Sequence, residues 1–257
     1  METFDFVIVG AGSAGCVVAH RLSEDPRNSV LLLEAGRSDR YHPFVPIPFM
    51  TRLLFTMPSL NWGYDTTAEK GLAGRNIRWP RGKLLGGSSS INGMTFVRGH
   101  HTDYDGWRQM GAAGWSYREV LPYFKRMESH QTKCSAFRGN EGPLYITEAK
   151  REGALNTAFL TAGVQAGFPE TDDFNGRTQE GFGIHDFAIA DARRQSAAVA
   201  YLKPIRGRRN LTIRTRATAR HVEFEGHHAR GVVYERTNKT HTVRARREVI
   251  LCGGTIN

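Results

Sequence analysis

Three cysteines in 257 residues, Cys16, Cys134 and Cys252, are too few and too scattered for a disulfide framework. No C-x-x-C pair accompanies them, which excludes a thiolate zinc site and fits a reducing compartment. Long hydrophobic runs are also missing. No apolar stretch approaches the ~20 residues of a membrane-crossing helix. The N-terminus lacks the basic segment and apolar core of a secretory leader, so the sequence reads as cytoplasmic. Acidic residues are in deficit, 25 against 35 basic ones, which gives a formal charge of +10. The densest basic clusters, Lys203–Arg209 and Arg244–Arg247, carry no interleaved aromatics and no helix-turn-helix or RNA-binding signature, so a nucleic-acid partner is not expected. A solvated basic surface, partly balanced by an anionic ligand, is the reading preferred here. Peripheral contact on the inner face of a membrane is the alternative left open. Neither an internal repeat nor a low-complexity tract is present.

What the chain does contain is concentrated near its start. Phe6 to Val9 is a short unbroken apolar run, as suits a strand buried on both faces of a parallel sheet. Gly10, Gly12 and Gly15 follow as G-x-G-x-x-G, enclosing Ser13 and Ala14. The first glycine permits a tight turn, the second lets backbone approach a pyrophosphate, and the third lets helix pack on strand. Ala14, Val18 and Leu22 then space out as one face of a helix, whose N-terminus offers unpaired N–H groups to an anion. A second apolar run, Val30 to Leu33, ends in Glu34 about 20 residues on, where a ribose-binding carboxylate belongs. Strand, glycines, helix, strand and acid together predict a Rossmann-like α/β dinucleotide-binding domain. They do not decide which dinucleotide.

Tyr41 to Leu60 has four prolines among scattered aromatics and leucines and keeps no period, which predicts an ordered, partly buried excursion. Trp62 and Tyr64 are either packed aromatics or part of a lid over the ligand. Arg81 to Met94 holds the second glycine-rich element. Gly86 and Gly87 allow backbone to approach a ligand, and Ser88 to Ser90 supply hydroxyls that could cap a following helix. Two separate glycine-rich elements suit a ligand larger than a mononucleotide. Further on, Ser116 with Glu119 forms a capping box, and Pro122 is expected to kink or end that helix. Leu155, Ala158, Phe159, Ala162 and Ala166 form an apolar stripe that reads as core, stopped by Gly167. Strands are expected at Leu211–Thr215, Val222–Phe224, Gly231–Tyr234 and Glu248–Cys252, with turns at Gly226-His-His and Thr237-Asn-Lys. His100-His101 and His227-His228 resemble metal pairs. Adjacent residues do not share a site on a helix or a strand, so surface or loop positions are expected and no metal site.

The segments Gly10–Gly15, Leu33–Gly36, Asn61-Trp62 and above all Arg81–Met94 resemble the glucose–methanol–choline (GMC) oxidoreductases. Gly114-Trp-Ser-Tyr117, Val120–Phe124, Asp173-Phe-Asn-Gly176, Ser196–Ala198 and Tyr201-Leu202 agree, and the similarity runs from Thr3 to Asn257. It is nearest the choline and aliphatic alcohol dehydrogenase branch. The resemblance implies an α+β whole: a Rossmann-like FAD-binding domain with part of an antiparallel-sheet substrate domain, and the family's C-terminal half not represented. It implies FAD-binding segments at 1–45 and 187–257, a cofactor lid at 46–75, an extended FAD-binding region at 76–140 and a partial substrate domain at 141–186. FAD would lie with its adenosine end at Gly10, Gly12, Ser13, Ala14 and Gly15, and its ribose at Glu34 beside Ala35. Gly86, Gly87 and Ser88 would approach the pyrophosphate and ribityl chain. Asn92, Gly93 and Met94 would flank the isoalloxazine, and the Ala219 backbone would contact adenine.

Covalently flavinylated relatives place a histidine just before the residue matching Asn92. Ile91 stands there, so non-covalent FAD is expected. The implied activity is oxidation of a primary alcohol, choline or an aliphatic one, with quinone or oxygen among the acceptors left open. No catalytic residue is assigned: the family's histidine matches no position here, and residues 1–257 alone are expected to be inactive. A pyridine-nucleotide dehydrogenase and a non-catalytic FAD-binding remnant remain the alternatives.

Overall fold

A computed structural model describes residues 1–40, 42–150 and 153–257, and in it the N-terminal apolar run lies inside a six-stranded sheet. The sheet's strands are β1 (Glu2–Val9), β2 (Val30–Glu34), β3 (Leu211–Thr215), β4 (Ala217–Glu225), β5 (His228–Arg236) and β6 (Lys239–Leu251). Their spatial order is β3-β2-β1-β6-β5-β4, parallel across the first four and antiparallel across the last three. β6 is long enough to serve both parts. Its stretch Lys239–Arg244 pairs with β5, and from Val243 to Leu251 it pairs with β1. The pairing with β1 carries a register shift between Phe4 and Phe6. This sheet belongs to a unit formed by Met1–Gly93 and Arg193–Asn257, while Met94–Ala192 form a second unit.

Burial explains the central strands. Val30, Leu31, Leu32 and Leu33 are all at 1% exposure or less, so both faces of β2 are covered. Each such side chain contributes about 1.5–3 kcal/mol relative to exposure. On one face Val7, Leu31 and Leu33 cluster with Ala217, Val232, Tyr234, Val243 and Ala245, which folds the antiparallel strands over the parallel ones. On the other lies α1 (Ser13–Leu22), against which a π-helical turn, Ala198–Leu202, packs in turn. The buried face of α1 is Gly15, Cys16 and Ala19, while Val18 and Leu22 beside it are half-buried and Ala14 is exposed. The cause is Gly15: a Cβ there would stand 1.9 Å from the Gly10 carbonyl oxygen, so this face is pressed onto the loop below. Ala14 is thereby turned outward.

The proline-rich excursion is ordered. Tyr41, its first residue, lies outside the described residues. The rest folds through α2 (Thr51–Thr56) and short 3-10 turns around Val45, Leu54, Leu60, Leu84 and Ile91, all buried. Arg194, at 2% exposure, fastens this region from within. It donates to the carbonyls of Val45 (3.1 Å) and Asn92 (2.5 Å) and to the Thr51 hydroxyl (2.8 Å). No carboxylate pairs with it among the described residues, and burial lowers its pKa to about 10.

In the second unit α3 (His101–Gln109) and α4 (Tyr117–Met127) precede a mixed three-stranded sheet of Glu128–His130, Leu144–Glu148 and Asp186–Phe187. The capping box at Ser116 and Glu119 is formed. Pro122 neither ends nor divides α4. Arg118, four residues earlier, whose carbonyl loses its helical donor to the proline, is exposed. Buried ion pairs Arg98–Glu128 (2.9 Å), Arg138–Glu128 (3.2 Å) and Arg138–Asp186 hold the sheet to its flanking loops. Burial beside Arg138 and Lys133 lowers His130 to about 4, so it is neutral near pH 7. α5 (Ala154–Gln165) departs from expectation: Leu155 is 83% exposed and Phe159 66%, and only Gly163 of the helix is buried. Its apolar stripe is surface, not core, in this chain.

Candidate functional site

At the carboxyl ends of β1, β2 and β6 the first unit opens into a cleft of about 660 Å³. That is where ligands sit in open parallel sheets, outside the strand ends. The backbone builds most of it. Gly10, at φ 94°, turns the chain out of β1 with room for no side chain, since a Cβ would lie 2.4 Å from the Cys252 carbonyl oxygen. Gly12 has no atom within 4 Å of its missing Cβ and faces open space. α1 then starts at Ser13 with no side-chain cap and no acidic residue in its first turn. Its free N–H groups and positive dipole end at the cleft, an arrangement suited to an anion.

The second glycine-rich element meets the first here. The Gly86 amide donates to the Ala11 carbonyl at 2.8 Å, and a Cβ on Gly87 would stand 2.8 Å from the Gly12 Cα. Gly82 presses equally close on Gly87, 2.3 Å from its carbonyl oxygen by the same measure, while its amide donates to the Ser88 hydroxyl at 3.1 Å. The serines do not cap a following helix. They lie in a 3-10 turn, Gly87–Ser90, where Ser89 donates to the Gly86 carbonyl and Ser90 to the Leu85 carbonyl. Their hydroxyls lock the loop, because the turn ends at Ile91 and leaves no helix to cap.

Glu34 closes the end of β2. It is 6% exposed and lines the cleft, its Oε2 accepting from the Ala11 amide (2.9 Å) and its Oε1 from the Gly36 amide (2.8 Å). Burial raises its pKa against those two hydrogen bonds and nearby Lys83, which oppose the shift. Each oxygen retains lone-pair capacity for a further donor, as a vicinal diol would supply.

Of the expected contacts, Gly10, Gly12, Ser13, Ala14, Glu34, Ala35, Gly87, Ser88 and Ala219 line this one cleft. Gly15 and Gly86 lie buried behind it and set its shape. Asn92 and Gly93 are exposed at the end of the first unit and are not on the cleft wall. Met94 begins the second unit, buried and at φ 62°. Trp62 lines the cleft, stacked on Tyr64 with Lys83 over its ring at 4.3 Å, so it is both packed and cleft-facing. Sequence reasoning passed over Arg81, Thr218 and the segment Gly253–Asn257, which complete the wall. Thr218 adjoins Ala219 at the start of β4 and was legible from that neighbour. The C-terminal residues became wall only when β6 was threaded beside β1. His100 caps α3, and His228 starts β5 after the turn. No metal-binding group of His, Cys, Asp or Glu occurs among the described residues, and no described helix is long and apolar enough to cross a membrane.

A strand–glycine loop–helix unit with an acid at the next strand's end, joined to a second glycine loop, defines a dinucleotide-binding α/β protein. The GMC oxidoreductase family matches residues 4–257, and the chain belongs to it. It is 49% identical over 253 residues to an oxygen-dependent choline dehydrogenase of Brucella ovis, which covers 98% of this chain and 46% of that protein. One from Rhizobium etli is 48% identical with the same coverage. Among solved structures, pyridoxine 4-oxidase from Mesorbium loti superposes with a TM-score of 0.93 at 38% identity, covering 98% of this chain and 49% of that one. An FAD-dependent oxidoreductase from Chaetomium thermophilum reaches 0.90 at 29% identity, covering 98% and 45%. The chain thus spans about half the length of the curated relatives it matches.

Proposed function

We propose that this chain binds FAD and serves the oxidation of a primary alcohol, choline or an aliphatic one, to the aldehyde. The observation that carries the reading is Glu34: a carboxylate at the end of β2, in a cleft lined also by an uncapped helix start and two apposed glycine loops. The residues fit the group. Glu34 would hold the adenosine ribose, the Ala219 backbone would face adenine, and the start of α1 with Gly87 and Ser88 would receive the diphosphate. When bound, the flavin supplies the hydride acceptor for the substrate carbon. The chain's own part is to bind and orient it. Among the described residues no histidine lines the cleft, so a proton acceptor for the alcohol is not assigned.

Attachment is non-covalent in this reading. Ile91 is 1% exposed and packs into the cluster with Leu54 and Leu84, and an aliphatic side chain has no nucleophile for the flavin ring. The protein reconstituted with FAD is expected to show oxidised-flavin absorption and to release all of it into the supernatant on acid precipitation. Yellow colour retained in the pellet would refute the non-covalent mode. A colourless protein that instead binds NAD tightly would refute FAD. The choline dehydrogenases it resembles support choline as the first substrate to test. A cytoplasmic site and contact with a membrane's inner face are also proposed, the second on the charge of +10; sedimentation with anionic vesicles at low and high salt tests it.

A further inference from the structure

His130, in the second unit, does not line the cleft. It ends the strand Glu128–His130 with its side chain fully buried. Its Nδ1 accepts two amides from the segment that follows, Lys133 at 2.9 Å and Thr132 at 3.3 Å. Two N–H donors converging on one ring nitrogen require a lone pair there, so the proton of the neutral ring is on Nε2. Nε2 stands 3.3 Å from Asp186 Oδ1 without the alignment of a hydrogen bond. That carboxylate is already taken. Arg138 pairs with its Oδ2, and the Lys133 ammonium lies 3.2 Å from its Oδ1.

The other acids around the ring are engaged as well. Glu128, on the same strand, pairs with Arg98 and Arg138. Asp173 lies 3.2 Å from Arg138, and Glu148, on the strand Leu144–Glu148, 3.3 Å from Lys133. A charge on the ring would therefore be buried and would face the repulsion of Arg138 and Lys133, which outweighs the pull of Glu128 and Asp173. The segment held by the ring lies at the surface, with Thr132, Cys134, Ser135 and Ala136 exposed. Lys133 is a second fastening, since its Nζ also donates to the Asp172 carbonyl at 2.7 Å.

We propose that His130 is a proton-operated latch on the segment 131–137. The neutral ring holds the segment down through Nδ1. A proton taken from solvent onto Nδ1 occupies the lone pair that both amides share, and the charged ring then faces two donors it cannot bond. The segment lifts, and Lys133 leaves Asp186 and Glu148 with it. Closed, the ring has a pKa of about 4, below the ordinary 6.5 that it regains on release. Closure is therefore complete above pH 6.5 and weakens by about tenfold per unit as pH falls toward 4. An asparagine in place of His130 keeps an oxygen for the same amides, as in an Asx-turn, and does not titrate.

The test is amide hydrogen exchange of the intact chain between neutral pH and about pH 4, corrected for the intrinsic rate. It is read at Thr132 and Lys133, with Leu32 of the central sheet as reference, for wild type, His130→Asn and His130→Phe. In wild type the protection of the two amides is expected to fall about tenfold per pH unit below 6.5 while Leu32 stays protected. His130→Asn should stay protected over the whole range. His130→Phe, which lacks the acceptor, should be unprotected throughout. Wild-type protection that is flat with pH, that falls equally in His130→Asn, or that falls together with Leu32 would overturn the latch. Where a variant fails to fold, shown by lost protection at Leu32, the wild-type ring decides alone. Its nitrogen NMR shifts are expected to show an Nε2–H ring that titrates near pH 4. An Nδ1–H ring, or a midpoint at 6.5, would overturn the proposal equally.

Discussion

Glu34 is placed to serve the fold and, in the function proposed above, the ligand as well. Its two oxygens take the Ala11 and Gly36 amides, both in a region buried from water. Replacing it by Gln leaves one carbonyl oxygen for two N–H donors and turns an NH2 group toward the other. Glu34→Gln is therefore expected to cost about 1–3 kcal/mol of stability in the apoprotein, read from denaturant unfolding, and to weaken FAD at least tenfold. The pH dependence has two opposite parts. Because burial raises the folded pKa, the empty fold gains from protonation of Glu34: that contribution is greatest below the unfolded value and is lost as pH rises through the folded one. Ribose hydroxyls donate to the ionised form, so FAD affinity should fall as pH drops through the raised pKa. In Glu34→Gln that fall should vanish; a wild-type profile identical to the variant's would remove Glu34 from the ribose site.

At the scale of elements, α5 is the sharpest disagreement between pattern and packing. Its apolar spacing satisfies the rule for a buried stripe, yet Leu155 and Phe159 stand in solvent. Hydrophobic spacing reports that a face can be covered; it carries no information on what covers it. Since these side chains are already exposed, Leu155→Ser and Phe159→Ser are each expected to change the stability of residues 1–257 by less than about 0.5 kcal/mol. Losses of several kcal/mol in chemical denaturation would show that the stripe is buried in solution. Two further expectations turn on local detail. Pro122 was expected to kink or end α4, and the helix runs on through it to Met127. Ala14, Val18 and Leu22 share a face of α1, and the closeness of Gly15 to Gly10 makes the neighbouring face, Gly15, Cys16 and Ala19, the fully buried one.

For the whole molecule, the cleft brings together residues suited to holding a dinucleotide, and among the described residues no histidine lines it. A polypeptide of residues 1–257 is accordingly expected to bind FAD and to give no choline- or alcohol-dependent reduction of a dye acceptor. A positioned base is typically worth 10²–10⁴-fold in rate, so its lack should bring turnover close to background. Side-by-side assay of this polypeptide and a full-length relative checks it. Comparable rates would require a base among the histidines assigned here to caps and turns. What the sequence determined by itself was the family and the glycine-rich elements that build the cleft. G-x-G-x-x-G, Glu34 and the Gly86-Gly87 pair are read through backbone conformation and short spacing, which are local properties. The strands Val30–Glu34 and Leu211–Thr215 were likewise legible, being apolar runs with clear ends. Tertiary structure alone decided that Arg81 and Trp62 share a wall with Gly253–Asn257, residues brought there by parallel pairing of β6 with β1 across more than two hundred positions. It also decided that Arg194 would be buried without an acid, because only folding supplies the carbonyls of Val45 and Asn92 that take the place of water around its charge.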